Sequence, residues 1–461
     1  MRHPTVRGAL ACCALVAGVV SSWQPQDELT RLHNASFFRE GDAWARIERE
    51  LIRSIAAAYA PTTGRGAKRV AKTLAFTKEF ILVYGNRLYV SESHESADKH
   101  KPHYFFSTLL SIMKRAPLAN FAATWDVAAT GTHCRSMMYD VPCLAIAKQP
   151  GFADPGILVP NPYFAHVDEW DRRVAAWRTA RPAWDARSKK LFWRGSVRSY
   201  CSFGNVARLA ALSLTLERPE RYDIRATPGA MDAPEAAACA ANFSYTGAMT
   251  RLSEAGGKAT AKVAGDFVDV SGFGNWRRFL NLPGTMMGSY SRNLNFLWAM
   301  GGVVALWDGP AVEWYYPGLK DGETHATLTA KTAEAVVDAV EGGPKLERRF
   351  AKQADEVHDA FLCGDCIDRY WRTVVHHLRD YFGFAAVLDG KSAALQDKAL
   401  AGLDCAALRR VEWTNASVTM NIFYDNRFVP EHGKPVVYVA LDDTDPLFAA
   451  CRRASARRKQ G

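Results

Sequence analysis

A helix over residues 41–59 is predicted from the spacing of its apolar positions. These recur at three- and four-residue steps, as Trp44, Ile47, Leu51, Ile55 and Ala58. Side chains at such steps lie on one face of a helix, and polar residues occupy the rest of its circumference. We expect this apolar stripe to pack against the core, and Pro61 to end the segment.

Two short apolar runs follow the helix, on either side of a Gly-Asn pair. Residues 80–84 and 88–90 are rich in Ile, Leu, Val and Tyr, which favour β-strands. Gly85 and Asn86 between them tolerate the positive φ that a tight hairpin turn requires. The pattern therefore predicts a β-hairpin.

Predicted strands and helices alternate along the rest of the chain. The predicted strands are residues 121–125, 142–147, 156–159, 190–193, 303–307, 421–424 and 436–441, and the predicted helices are 104–114, 205–216, 332–340, 346–362 and 366–382. Such alternation favours an α/β fold with mostly parallel sheets. We expect residues 171–186 to join two lobes, and the last seventy-odd residues to be an appendage to the second lobe with a disordered basic tail from Arg452.

Composition and charge narrow the class of protein. The 461 residues, 48% hydrophobic and 23% charged, correspond to about three domain equivalents of ordinary globular protein. The net charge is +10, but seven positive charges lie near the ends, at Arg2, Arg7, Arg452, Arg453, Arg457, Arg458 and Lys459. Because the body is close to neutral, the charge argues against a dedicated nucleic-acid binder.

The N-terminus has the pattern of a targeting segment. Arg2 and Arg7 precede the uncharged stretch Ala9–Val20, which predicts a signal peptide or signal anchor over residues 1–23. A buried first helix is the alternative. Three Asn-x-Ser sequons, at Asn34, Asn242 and Asn415, are compatible with the lumen of the secretory pathway. The protein would then touch a membrane only through an N-terminal anchor.

Cysteine usage is also compatible with an oxidising compartment. Eight cysteines remain after the first 23 residues, an even number whose pairing the sequence does not determine. Cys363 and Cys366 have the spacing of a redox motif or half a zinc site. Since no second Cys or His pair lies at zinc-finger distance, we predict a structural disulfide there.

The first stretch with candidate chemistry is an apolar strand that ends in polar residues. Residues 190–193 are followed by Arg194, Gly195, Ser196 and Arg198. Ligands of open α/β sheets bind at strand ends. Gly195 would let a phosphate approach the backbone, and the two guanidinium groups could bind its oxygens. The alternative is a strand end with two surface arginines.

A second candidate site lies before and after the strand at 303–307. Gly284, Ser289, Ser291 and Arg292 open an apolar helix, where backbone N–H groups and the helix dipole favour an anion. Glu313 follows the strand. Its carboxylate could accept hydrogen bonds from sugar hydroxyls, or it could be a solvated loop acid.

Taken in order, these motifs resemble the glycosyltransferases of family 90, which include capsule-associated xylosyltransferases and Rumi-like protein O-glucosyltransferases (CAP-type glycosyltransferases). Residues 192–196 resemble the family's Phe-(Phe/Trp)-Arg-Gly-Ser element, residues 284–304 its Gly…Ser-x-(Arg/Lys) block and the following helix and strand, and residues 313–320 its Glu-Phe-Phe-Tyr-Pro-x-Leu-Lys element. Single matches are Arg208, His325, Tyr370 and Trp371. The likeness spans residues 78–382. Gly302 stands where the family has Ser, so the donor sugar stays open.

The resemblance implies a two-lobed GT-B fold, with two Rossmann-like lobes facing a cleft and a helical C-terminal segment. It assigns residues 24–185 to an acceptor lobe, 186–385 to a donor lobe and 386–461 to an extension with the basic tail. It also implies inverting transfer of glucose or xylose from a UDP-sugar, the co-substrate, to a hydroxyl of a protein or polysaccharide in the endoplasmic reticulum or Golgi, without metal or other cofactor.

The resemblance also assigns roles to individual residues. Asp126 is the catalytic base that deprotonates the acceptor hydroxyl, with Asp140 as the fallback. The donor-binding set comprises Arg194, Gly195, Ser196, Arg198, Ser289, Ser291, Arg292 and Glu313. Within it, Arg194, Arg198, Arg292 and the helix start at Ser289 and Ser291 would hold the departing diphosphate. Arginines and backbone N–H groups in this set would replace a cation.

Two other functions remain open from the sequence. Asp443 and Asp445 form an Asp-x-Asp pair after the predicted strand at 436–441, which is how a metal-dependent transferase holds its cation. A non-catalytic lumenal carbohydrate-binding protein on the same scaffold is the second alternative, because a fold alone does not determine function.

Overall fold

The chain forms two β-sheets with helices packed against them, which confirms the predicted α/β class. The computed structural model describes residues 32, 38–59, 70–71, 73–74, 80–91, 100–126, 134, 141–148, 156–197, 202–227, 263–284, 293–309, 311–329, 331–390, 393–413 and 436–460. The predicted targeting segment, the three sequons and the predicted strand at 421–424 lie outside these residues. Of the helices described, none combines the length and the apolar character needed to cross a membrane.

The strands are β1 Phe80–Tyr84, β2 Arg87–Ser91, β3 Phe121–Asp126, β4 Cys143–Ala145, β5 Ile157–Leu158, β6 Ser188–Gly195, β7 Tyr222–Ala226, β8 Trp276–Asn281, β9 Val303–Trp307, β10 Ala326–Leu328, β11 Leu408–Trp413 and β12 Val436–Ala440. The helices are α1 Glu40–Ala58, α2 His100–Arg115, α3 Val167–Ala180, α4 Phe203–Glu217, α5 Asn293–Leu297, α6 Ala333–Gly342, α7 Pro344–Val357, α8 Gly364–Phe382, α9 Phe384–Leu388, α10 Ala393–Leu400 and α11 Pro446–Gln460. A π-helical turn, His358–Leu362, connects α7 to α8.

The first sheet has seven strands in the order β12-β11-β2-β1-β3-β4-β5. The predicted hairpin is confirmed as β1 and β2, and Gly85 and Asn86 have φ angles of 58° and 55°. β3, β4 and β5 are mutually parallel, whereas the other pairs are antiparallel. The carboxyl ends of β3, β4 and β5 therefore lie at one edge of this sheet.

The second sheet has five strands in the order β10-β9-β8-β6-β7, and every pair is parallel. Leu191 and Leu280 on one face pack with apolar residues of α4 and α6. Phe192 and Phe279 on the other face belong to the large core that also includes the first sheet and α8. The sheet is thus covered on both faces, as parallel sheets require.

Helix α3 connects the first sheet to the second, and its residues 171–180 lie within the stretch 171–186 that was expected to join two lobes. Two expectations for the C-terminal segment are wrong. The segment was expected to be an appendage to the second lobe, but its strands β11 and β12 extend the first sheet, because β11 pairs with β2. The tail after Arg452 belongs to helix α11, whose Leu447 and Ala454 are buried.

Three disulfides lie among the described cysteines. Cys363 and Cys366 are bonded at the start of α8, which confirms the predicted structural disulfide. The others join Cys134 to Cys143 and Cys405 to Cys451. The last of these connects the turn before β11 to α11, so it attaches the C-terminal helix to the first sheet.

Candidate functional site

The loops at the carboxyl edge of the parallel sheet are held together by Arg208 of α4. Its Nε donates to the carbonyl oxygen of Pro283, which follows β8, over 2.9 Å, and its Nη1 donates to the carbonyl oxygen of Ser196, which follows β6. The guanidinium also stacks over the ring of Trp193, 5.4 Å from its centroid. Arg208 is 8% exposed. A single buried cation therefore fixes two loops of the candidate site.

Gly195 ends β6 and is required by packing. A Cβ atom there would lie 2.4 Å from Cζ2 of Trp193, closer than any real contact. The sequence interpretation was that Gly195 admits a phosphate to the backbone. In the structure the indole of Trp193 fills the space that a side chain at residue 195 would take, so packing by itself requires glycine here.

Arg194 forms an internal ion pair. Its Nη2 lies 2.9 Å from Oδ1 of Asp223 on β7, and its Nη1 donates to the Asp223 carbonyl oxygen over 2.7 Å. The guanidinium stacks over Phe192, 4.9 Å from the ring centroid. Burial lowers the pKa of Arg194, although Asp223 opposes the shift. Arg194 is therefore neither a surface arginine nor an uncommitted phosphate ligand, because its charge is neutralised within the sheet.

Glu313, which follows β9, is completely buried. Its Oε2 accepts a hydrogen bond from Nδ2 of Asn161 over 3.1 Å, whereas Oε1 has no partner within the described part of the chain. Burial raises the pKa of Glu313 to about 8, against the lowering effect of the Asn161 hydrogen bond. The carboxyl group is thus protonated near neutral pH, unlike a solvated loop acid. It can both donate and accept a hydrogen bond.

The Glu313 segment meets the first sheet at two points. Asn161 lies just after β5. Lys148, just after β4, forms an antiparallel bridge with Val312, in which the two N–H···O distances are 3.1 and 2.8 Å. The chain beyond the parallel strands of the first sheet therefore contacts the chain beyond β9 of the second sheet, and Glu313 lies at this junction.

Asp126 is the last residue of β3, where its backbone pairs with Ala145 of β4. This places it at the same edge of the first sheet as Asn161 and Lys148. The side chain of Asp126 lies outside the described part of the structure. So do Asp140 and four of the predicted donor-binding residues, namely Arg198, Ser289, Ser291 and Arg292.

Of the other matched residues, Tyr370 contacts the segment that contains Glu313, whereas His325 contacts two neighbouring threonines. Tyr370 stacks on Trp314, with 4.1 Å between ring centroids, and its hydroxyl donates to the carbonyl oxygen of Leu158 over 2.9 Å. His325, 7% exposed, lies between the hydroxyls of Thr324 and Thr327, at 2.8 and 3.2 Å. These contacts fix the positions of both side chains within the fold.

No family model matches this chain, and no curated protein matches it.

The Asp-x-Asp pair has structural partners. Asp445 is completely buried and accepts hydrogen bonds from the Tyr89 hydroxyl at 3.0 Å, from Nη1 of Arg410 at 2.9 Å and from the backbone N–H of Leu447 at 2.9 Å. Asp443 pairs with Arg452. Within the described ranges, no cluster of three or more His, Cys, Asp or Glu side chains is placed to hold a metal ion. Asp445 thus acts as a cap and an ion-pair partner.

Several polar residues of this region were not predicted from the sequence. Asn161 follows the predicted strand at 156–159 within Pro-Asn-Pro, so a search of that strand end would have found it. Asp223 lies on a strand that the apolar pattern did not indicate. Asn281 and Asn295 are 6% and 1% exposed, and each has an amide oxygen with no partner among the residues described.

Proposed function

We propose that this protein is an inverting glycosyltransferase that moves glucose or xylose from a UDP-sugar to a hydroxyl of a protein or polysaccharide. The observation that carries the proposal is the convergence of three distant motifs at one edge of one sheet. Ser196 follows β6, Gly284 follows β8 and Glu313 follows β9. These strands are neighbours and parallel, so the residues that resemble family 90 share the edge where α/β proteins bind ligands.

The proposed arrangement is a GT-B pair of lobes, with the acceptor at the first sheet and the UDP-sugar at the second. The Asn161–Glu313 and Lys148–Val312 contacts support it, since they bring the carboxyl ends of parallel strands from both sheets together. In this arrangement the protonated carboxyl of Glu313 binds a hydroxyl of the donor through Oε1. Asn161 holds the other oxygen in place.

In the proposed reaction, Asp126 removes the proton of the acceptor hydroxyl as that oxygen attacks the anomeric carbon. The bond from this carbon to the UDP oxygen breaks on the opposite face, which inverts the configuration. Arg198, Arg292 and the N–H groups near Ser289 and Ser291 stabilise the diphosphate that leaves, without a metal. Arg194 acts indirectly, by fixing the end of β6 through Asp223.

We propose the lumen of the secretory pathway as the site of action. The apolar N-terminal stretch, the three sequons and the disulfides support this location.

The decisive experiment measures thermal unfolding with a panel of UDP-sugars and then transfer or hydrolysis of the sugar that binds. A ligand that binds only the native state raises the melting temperature. We expect UDP-glucose or UDP-xylose to do so, and Asp126→Asn to abolish turnover while UDP still binds. The matched control is Asp380→Asn, an exposed carboxylate on α8, which should leave turnover unchanged.

Two results would contradict the proposal. If no UDP-sugar raised the melting temperature, the proposed donor site would be refuted. If Asp126→Asn kept full turnover, the proposed role of Asp126 as the catalytic base would be refuted. Binding of a saccharide without any turnover would favour the non-catalytic carbohydrate-binding alternative.

A further inference from the structure

Arg173 of α3 lies between two tryptophans of the same helix. Its guanidinium carbon is 5.5 Å from the ring centroid of Trp170 and 5.8 Å from that of Trp177. Residues three and four apart share a helix face, so the cation and both indoles form one surface. Cation–π attraction of this kind stabilises a charge only in part.

No carboxylate of the described ranges lies within ion-pair distance of the Arg173 guanidinium, although Glu169, one turn earlier on α3, attracts it electrostatically. Its Nε and Nη2 atoms are buried and make no hydrogen bond there. Arg181, which follows the last residue of α3, is by contrast paired with a carboxylate, since its Nη1 lies 2.9 Å from Oδ2 of Asp355. Burial lowers the pKa of Arg173 to about 10, which leaves it charged at neutral pH. Arg173 is partly buried, and buried polar atoms without a hydrogen bond are costly, so its Nε and Nη2 atoms are available to bind an anion.

Aromatic rings from three other elements surround this position. Phe296 of α5 lies 5.5 Å from Trp177 and 5.7 Å from Trp170 between ring centroids. Tyr104 of α2 interacts electrostatically with Arg173 and lies 6.1 Å from Tyr163, in the turn after β5. We call these five rings, Tyr104, Tyr163, Trp170, Trp177 and Phe296, the aromatic corner.

The aromatic corner adjoins the candidate site through one short segment. The backbone N–H of Tyr163 donates to Oδ1 of Asn161 over 3.1 Å, and Asn161 donates in turn to Glu313. Tyr163, Trp177 and Phe296 are each only partly buried. Both lobes contribute to the corner, because Phe296 belongs to the second half of the chain and the tyrosines to the first.

We propose that Arg173 binds an anionic oxygen group of a ligand in the aromatic corner. Nε and Nη2 form the side-on edge of a guanidinium, which matches two oxygens of a carboxylate or a phosphate. The surrounding rings suit a sugar or a base attached to that anion. The anion is either the diphosphate of a nucleotide sugar, in which case the inference rests on the proposed function, or the carboxylate of an acidic sugar.

The experiment compares the wild type with Arg173→Met and with the control Arg172→Met. Arg172 lies on the same helix, is 74% exposed and pairs with Glu169. Calorimetric titration with UDP, inorganic pyrophosphate and glucuronate measures the dissociation constants. We expect Arg173→Met to weaken at least one of these ligands by at least about tenfold, the effect of losing a charge-assisted bidentate contact, and Arg172→Met to leave all of them unchanged.

Thermal unfolding separates binding from packing. Met preserves apolar contact with the indoles and removes a partly buried charge that has no ion-pair partner within the described ranges, so the melting temperature of Arg173→Met should be equal to or above that of the wild type. Arg173→Lys keeps a charge but lacks the bidentate edge, and we expect intermediate affinity. A lower melting temperature with unchanged affinities would show a packing role and overturn the proposal.

The three ligands distinguish this proposal from the proposed function. If UDP binds equally to the wild type and Arg173→Met, and neither pyrophosphate nor glucuronate depends on Arg173, the anion site is refuted and the transferase proposal stands. If pyrophosphate or glucuronate binds through Arg173 while UDP does not bind at all, the anion site stands and the nucleotide donor is refuted. If no ligand depends on Arg173, the anion site is refuted.

Discussion

Asn161 and Glu313 join the two halves of the chain through one buried hydrogen bond, with 3.1 Å between Nδ2 of the amide and Oε2 of the carboxyl. Both residues are completely buried. The backbone N–H of Tyr163 fixes the amide by donating to its Oδ1. Because no cation faces Glu313 among the described contacts, its ionised form is poorly stabilised, and its pKa is raised to about 8.

This raised pKa predicts a pH dependence of stability. Between its ordinary value of 4.5 and about 8, the folded protein retains a proton on Glu313 that the unfolded chain releases. The free energy of unfolding therefore falls as pH rises through this window, by up to about 1.4 kcal/mol per pH unit. Glu313→Gln keeps an acceptor for Asn161 and has no proton to lose, so it should lack this slope.

Urea unfolding of both proteins between pH 4 and pH 9, values that bracket the window, checks this. Subtracting the free energy of unfolding of Glu313→Gln from that of the wild type at each pH removes the contribution of the other titrating groups, which both proteins share. Parallel stability curves for the wild type and Glu313→Gln would contradict the assignment of a protonated carboxyl.

The Arg194–Asp223 pair predicts coupled stability effects. Arg194→Met leaves Asp223 with only the partly exposed Arg225, and Asp223→Asn leaves a buried guanidinium unpaired. We expect each change to lower the free energy of unfolding by about 3 kcal/mol. The double variant should lose at least about 1 kcal/mol less than the sum of the two.

Urea denaturation of the four proteins measures this coupling. Arg218→Met is the control, since Arg218 is 52% exposed and its pair with Glu334 is a surface contact, worth less than about 1 kcal/mol. Additive losses in the double variant would show that Arg194 and Asp223 act independently.

Gly195→Ala tests whether packing requires glycine at the end of β6. The added methyl group overlaps the ring of Trp193, so we expect a loss of about 1–3 kcal/mol and an altered tryptophan fluorescence spectrum. Gly41→Ala is the matched control, because nothing lies within 4 Å of its added methyl group. On helix α1 it should be neutral or stabilising by up to about 1 kcal/mol. Equal stability of both variants would refute the packing requirement.

The Cys405–Cys451 disulfide should stabilise the protein more than the Cys363–Cys366 disulfide. The first closes a separation of 46 residues and the second a separation of 3, and a longer loop loses more entropy when it is cross-linked. Replacing both residues of the longer bridge by alanine should cost about 2–4 kcal/mol, and the same change at the shorter bridge less. Melting temperatures with and without reductant test the order, and a larger loss from the shorter bridge would reverse it.

Local patterns were enough to predict the elements whose signal lies within a few residues. The stripe on α1 is buried at Trp44, Ile47, Leu51 and Ile55, and Gly85-Asn86 forms the hairpin turn. In both cases the physical cause, helical periodicity or tolerance of positive φ, belongs to the segment itself. No distant partner is needed to recognise it.

Elements that depend on distant partners were missed. Strand β8 contains Arg277 and Arg278, and two adjacent arginines suggest a surface segment from sequence alone. In the fold Arg278 is 3% exposed because Nε lies 2.7 Å from Oε1 of Glu347 on α7. Likewise, nothing near Glu313 in the sequence indicates that its carboxyl group will be buried and hydrogen-bonded to Asn161. The sequence predicted which residue types lie at the candidate site. Which of these residues pair with each other could be seen only in the fold.

The pairing of β11 with β2 also determines when the protein can finish folding during synthesis. Leu408 pairs with Ser91, so the hairpin leaves the ribosome long before its neighbouring strand does. Until then β2 presents unpaired backbone groups that could recruit a chaperone or another nascent chain. A chain shortened to residue 385 would keep that exposed edge permanently and should self-associate.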